Sequence, residues 1–163
     1  MAWSFGTSEV LSKVRAAIGP STTVGSTTFT WKTVAEGPLL RWLDDKTTDY
    51  PAIILDLGDG AAQDQKSKIR CIQPLTVWVV VQSTAASATG ISPKVYEMTR
   101  LLGEAVLASI MNTGPRLGSE ALNDRALVSW GVDKEATGEF QDRGLCIYRG
   151  TFEIGYYVNE VQA

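Results

Sequence analysis

Residues 145–158 alternate along the chain: Tyr148, Phe152, Ile154, Tyr156 and Val158 fall on one side, and Ile147, Arg149, Thr151, Glu153 and Tyr157 on the other. A period of two over that length predicts a long strand with one wet face. A wet face in turn predicts an antiparallel sheet. Residues 68–82 hold a second strongly strand-like stretch, Leu75-Thr76-Val77-Trp78-Val79-Val80-Val81, in which Pro74 predicts a bend or an edge position. Residues 50–57 form a compact apolar run, Tyr50-Pro51-Ala52-Ile53-Ile54-Leu55-Asp56-Leu57, ended by Gly58-Asp59-Gly60. Residues 125–132 read as a further strand carrying Leu127, Val128 and Trp130. The alternation Thr28-Phe29-Thr30-Trp31-Lys32 suits a solvent-facing or edge strand, the first half of a hairpin.

Two segments carry the helical period instead. Ser8 is placed to cap a short helix whose Val10, Leu11, Val14 and Ile18 share a face, and Gly19-Pro20 stops it. Ser92-Pro93 supplies a cap and a first-turn proline for a longer helix reaching about Asn112. At about 100° per residue, Val95, Met98, Leu102, Ala105, Val106, Ser109 and Ile110 form the expected core stripe of that helix. A second stripe of Tyr96, Arg100, Gly103, Leu107 and Met111 gathers elsewhere on the surface. A helix lying on one sheet needs only one apolar stripe, so the second is either covered by another element or is a subunit contact.

Residues 61–67, 83–90, 114–118 and 135–144 read as loops, rich in polar and small residues. The order helix, strands, helix, strands is that of an α+β fold: an antiparallel sheet with two main helices packed on one face, in a single domain spanning 1–163. At 163 residues and 44% apolar the chain is long enough to bury a sizeable core.

Charge and residue chemistry narrow the function classes. Fifteen Lys and Arg against eighteen Asp and Glu leave a net charge of −3 with no long run of one sign, so neither nucleic acid nor an anionic membrane finds an electrostatic footprint. No stretch approaches the ~20 apolar residues that span a bilayer, and no secretory leader is visible, so a cytosolic site of synthesis is expected. Cys71 and Cys146 are far apart and are expected as buried thiols. The chain has no histidine, which removes the usual general base, the Ser-His and Cys-His pairs and the commonest transition-metal ligand. Asp56, Asp59 and Asp64 surround two glycines but lack the spacing of a calcium loop, with Ser67 where its closing Glu would stand. No phosphate-cradling glycine motif is present. Asp44 with Asp45, and Glu135 with Glu139, read as solvated charge. No catalytic, cofactor or metal residues are assigned.

Other features point to binding. Leu39-Leu40-Arg41-Trp42-Leu43 interrupts a polar region, and Trp42 either closes one end of the core or serves as an interface anchor. Trp3 and Phe5 precede the first helix and are expected to staple its entry.

The element order, the Tyr50-Pro51-Ala52-Ile53-Ile54 strand opening, the Ser92-capped helix through Met111 and the closing Gly144-Leu145-Cys146-Ile147-Tyr148-Arg149-Gly150-Thr151-Phe152-Glu153-Ile154-Gly155-Tyr156 strand resemble the tail terminator, or tail completion, proteins of long-tailed bacteriophages. The likeness covers nearly the whole chain as a pattern, without a short diagnostic motif. It implies a small α+β virion subunit without catalytic residues or cofactor. Such a subunit forms a hexameric ring, caps the tail tube, halts its polymerisation and meets the neck or head connector, with sheath protein a further contact. Tyr96, Arg100, Gly103, Leu107, Met111 and Trp42 are the candidate interface residues on this reading. The alternatives are a head-to-tail adaptor or other neck subunit, a small carboxylate-dependent enzyme using Asp56, Asp59 or Glu135, and a ligand-binding module presenting Trp42 and Trp78.

Overall fold

A computed structural model describes residues 2–63, 69–83, 92–112 and 122–161. Its elements are β1 (Ala2–Ser4), α1 (Thr7–Ile18), β2 (Ser21–Val24), β3 (Thr27–Thr30), β4 (Thr33–Glu36), α2 (Leu39–Leu43), β5 (Ala52–Leu57), β6 (Ala61–Gln63), β7 (Ile69–Gln82), α3 (Pro93–Met111), β8 (Leu122–Val132), α4 (Lys134–Phe140) and β9 (Leu145–Val161). The fold is α+β. The two strands with the clearest alternation, β7 and β9, pair antiparallel from Ile69 opposite Val158 to Gln82 opposite Leu145 and form the spine. On the far side of β7 lie β5 and β6, and on the far side of β9 lies β8, all antiparallel. β4 joins β5 in parallel, so the sheet is mixed at that end.

Pro74 sits inside β7, where a bend or an edge position was expected. Its carbonyl accepts from Gly58 N at 2.8 Å, so the amide hydrogen that proline lacks would have pointed to the same side. That side is where β6, paired to residues 70–72, gives way to β5, paired from Leu75 onward. The proline occupies a break in the ladder and costs no strand pairing.

One face of the sheet packs on α1 and α3. Val10, Leu11, Val14 and Ile18 of α1 meet Leu102, Val106, Leu107 and Ile110 of α3 over Ile53, Leu75, Val77, Tyr148, Phe152 and Ile154. β2 and β3 form a complete hairpin turning at Gly25 (φ +61°), which packs against α3 and buries Trp31, whose indole donates to Thr22 Oγ1 at 3.1 Å. Residues 28–32, expected as the first half of a hairpin, thus supply its second half. The first helix begins at Thr7 behind Gly6 (φ +71°), with Ser8 inside the first turn and no side-chain cap.

Among the described residues the opposite face is covered at one end, by two short helices whose segments read from the sequence as lying in polar surroundings. Leu39 and Leu43 of α2 and Phe140 of α4 bury against Ala52, Ile54, Val80, Leu145 and Ile147. Asp133 caps α4 by accepting from Ala136 N at 2.9 Å, and its buried Thr137 hydroxyl accepts from Ile147 N at 3.0 Å. Residues 135–144 are therefore this helix and a following helical turn (Gln141–Arg143), and Ile147 lies under cover where the alternation put it on the wet side.

Of the other expected loops, residues 61–63 pair with β7 as β6. The segments 64–68, 84–91 and 113–121, which contain the remainder, lie outside the described residues.

The tightest contact in the core joins α3 to β9. A Cβ built on Gly103 would stand 2.2 Å from Cδ1 of Tyr148, and one on Gly150 would stand 2.5 Å from Cδ2 of Leu107. Each glycine leaves space for a large side chain of the other element. Burial pushes the Tyr148 phenol up to about 12, with the Glu104 carboxylate adding to the rise, and its hydroxyl has no hydrogen-bond partner among the described residues. Burial likewise pushes Tyr156 up to about 12, where its hydroxyl donates to Gln73 Oε1 at 2.8 Å.

Two predictions follow from this packing. Gly103→Ala gains about 1 kcal/mol of helix propensity but forces the buried ring to move, at ~1–3 kcal/mol. A net loss of stability is expected in urea denaturation. Because both tyrosines ionise near pH 10 when unfolded and near 12 when folded, their contribution is complete below pH 10. It falls as pH rises toward 12, by up to ~1.4 kcal/mol per unit for each tyrosine. Tyr148→Phe should flatten that fall in denaturation curves recorded from pH 8 to 11.5, and should be neutral or stabilising at pH 8, since it removes an unpaired buried hydroxyl.

Candidate functional site

The residues singled out on the long helix divide. Gly103 and Leu107, expected as part of a subunit contact, belong to the core: the buried face of α3 is Thr99, Leu102, Gly103, Val106, Leu107 and Ile110. Val95, Met98, Ala105 and Ser109, expected in the core stripe, are only half-buried. The physical reason is the interlock described above, which turns the helix so that Gly103 and Leu107 meet Tyr148 and Gly150. With the sheet, α1 and β2 all packed on α3, both apolar stripes have neighbours within the chain. Of the rest of the second stripe, Tyr96 is half-buried, Arg100 is exposed and paired with Glu104 at 3.1 Å, and Met111 is 40% exposed.

Trp42 closes the end of the second core cluster. It packs there beside Leu39 and Leu43, donates from its indole nitrogen to Glu36 O at 2.9 Å, and has the Arg41 guanidinium 5.8 Å from its ring centre. Trp78 also packs against this cluster, with Arg149 over its ring at 5.8 Å.

Two of the exposed large apolar side chains among the described residues, Val128 and Trp130, lie on β8. Among the described residues this strand pairs with β9 alone, and no described strand lies on its outer backbone edge. Leu127 is set opposite Phe152 and Ser129 opposite Thr151, which leaves Val128 as an extra residue between two registered pairs. This bulge leaves Val128 60% exposed. Trp130 stands opposite Gly150 and is also 60% exposed. Arg125 Nη2 donates to Met111 O at 2.7 Å, tying the end of α3 and its exposed methionine to the same strand. Open edges are commonly guarded by lysine or proline, and neither occurs between Leu122 and Val132. From the sequence, Val128 and Trp130 read as ordinary strand residues; the distinguishing signal is that apolar side chains fall on both alternation faces of β8.

The chemistry-bearing residues are not gathered. Asp56 lies at the end of β5 opposite Thr76, Glu135 in the first turn of α4, and Asp64 outside the described residues. Among the described residues no three His, Cys, Asp or Glu side chains come together as a metal site would need. Asp45 is held below its usual pKa by the hydroxyl and amide of Thr47, a local turn contact. Burial pushes the Cys146 thiol up, away from the thiolate form a nucleophile uses. No helix among the described residues is long and apolar enough to cross a membrane.

Comparison with known proteins found no protein-family model that matches this chain, and no curated protein matches it.

The positions of the two apolar residues of α3 give opposite expectations. Leu107→Glu buries a carboxylate against Gly150 and should abolish the cooperative unfolding transition followed by circular dichroism. Met111→Glu, at an exposed site, should leave that transition within ~0.5 kcal/mol of the parent.

Proposed function

We propose that this chain is a structural virion subunit of the tail terminator kind. It assembles into a hexameric ring that caps the tail tube of a long-tailed phage, stops its polymerisation and presents its other surface to the neck or head connector, with sheath protein a further neighbour. The observation that carries the reading is the open, apolar β8 edge with Val128 and Trp130, set at one end of the sheet. At the other end β4 pairs, among the described residues, with β5 alone and carries exposed Val34, while α2 adds exposed Leu40. Spanning β8, β9, β7, β5 and β4 at ~4.8 Å per strand separates these edges by roughly 19 Å. Two unlike apolar patches on opposite sides favour a head-to-tail contact, which closes into a ring when the rotation between copies allows it. Assembly of this kind needs no catalytic group. On this reading the subunit acts in the virion after assembly in the host cytoplasm, with protein partners and no cofactor.

Native mass spectrometry over a concentration series, alone and with tail-tube protein, tests the proposal. A discrete hexamer is expected, and Val128→Lys with Trp130→Lys should return it to monomer with an unchanged circular dichroism spectrum. Monomers throughout, including with tube protein, would overturn the ring and favour an adaptor that binds a ring made by another chain.

A further inference from the structure

Two arginines are held by aromatic rings alone. Among the described residues Arg15 pairs with Glu36, Arg100 pairs with Glu104, Arg125 donates to Met111 O and Arg143 donates to Leu43 O. Arg41 and Arg149 make no ion pair or hydrogen bond among those residues; both are exposed, and each lies 5.8 Å from the centre of an indole, Trp42 and Trp78 respectively. Both indoles pack against the one buried cluster that contains Leu39, Leu43 and Ile54, so the two guanidinium groups border the same covered end of the sheet.

Register spaces them. Trp78 lies opposite Ile54 on one side and Arg149 on the other, Ile54 lies opposite Ala35, and the Trp42 indole donates to the carbonyl of the next residue, Glu36. From β4 to β9 is three strand spacings, ~14 Å. Stacking on a ring orients a guanidinium and leaves its N–H groups free for an anion. Arg149 can be approached from the β8 side, because its partner there is Gly131, where even an added Cβ would meet nothing within 4 Å. The Nε1–H of Trp78 is buried and has no acceptor among the described residues. The Arg149–Trp78 pair is thus rich in donors and short of acceptors.

We propose that Arg41 on Trp42 and Arg149 on Trp78 form a docking site for an acidic segment of a second protein, with one carboxylate on each guanidinium. An extended segment whose acidic residues stand four positions apart, at ~3.4 Å per residue, matches the spacing. Separate carboxylates fit better than a nucleic-acid backbone. Asp44 and Asp45 follow α2, Asp56 lies on the same sheet face, and Glu135 and Glu139 lie on α4, so a continuous line of phosphates meets repulsion between two isolated cations. Arginine and tryptophan are also the residue types most enriched among interface anchors. Arg41 adjoins the exposed Leu40, whereas Arg149 lies three strands inward, so the site goes beyond the ring contact and is tested without it.

The probe is a blocked pentapeptide, acetyl-Glu-Ser-Thr-Ser-Glu-amide, titrated into the nitrogen-15-labelled full chain while the indole N–H resonances are followed; spectra of Trp42→Phe and Trp78→Phe identify the two signals. Saturable movement of both is expected, with no movement for the analogue in which glutamine replaces both glutamates. Arg41→Gln and Arg149→Gln should each raise the dissociation constant about tenfold or more, since each removes a charge-assisted contact. Both arginines are exposed, so both variants should keep the parent's dichroism spectrum. Absence of saturable movement at millimolar peptide, or unchanged affinity in either arginine variant, overturns the site. Tighter binding of a single-stranded thymidine decamer than of the peptide overturns the carboxylate assignment in favour of nucleic acid. Each of these outcomes is read whether the chain is a monomer or a ring, so the ring proposal stands or falls separately.

Discussion

The contact on which the rest of the fold depends is the interlock of α3 with β9. A glycine on the helix leaves space for the ring of Tyr148, and a glycine on the strand leaves space for the side chain of Leu107. Close-packed interiors tolerate little displacement, so two such reciprocal fits fix both the rotation of the helix and its distance from the sheet. With α3 fixed, its remaining apolar positions are presented to α1 and to the β2–β3 hairpin, which close the same layer from either side. The helix therefore has little apolar surface to offer another subunit, despite its two stripes.

The consequence for function is that stickiness moves from the helix to the sheet. β7 pairs with β9 along the whole of β7, and the unsatisfied backbone falls on the outer strands. β8 combines an open edge with a bulge that leaves Val128 exposed and a tryptophan opposite Gly150. An exposed aromatic on an outer strand is a hazard in a protein that works alone and an anchor in one that assembles. The other face of the sheet, beyond the cover of α2 and α4, bears the row Asp56, Thr76, Thr151 and Ser129 across four strands. Such small polar side chains face water without strong attraction to an apolar partner. The apolar edges, rather than this row, are where association between copies is favoured.

The elements with strong periodicity are legible in the sequence. β9, β7 and β5 follow from alternation or continuous apolar runs, and α3 from its serine cap, whose hydroxyl accepts from Val95 N at 3.3 Å, and its first-turn proline. Their signals are local, since a strand or helix pattern is written in neighbouring residues. The short helices α2 and α4 were not legible as helices, because five and seven residues hold too few turns for a period to show. They form because Leu39, Leu43 and Phe140 find a sheet face to bury against.

The sequence by itself determined that this is an α+β chain built around long antiparallel strands, with no histidine for catalysis and with more apolar surface than one helix and one sheet face can consume. Only the tertiary structure decided where the excess goes. Which stripe of α3 is buried depends on Tyr148 and Gly150, far away in the chain. Which strand is left at the edge depends on the pairing order. Periodicity specifies the faces of an element, whereas the partner of each face is chosen by packing among elements that the sequence does not place side by side.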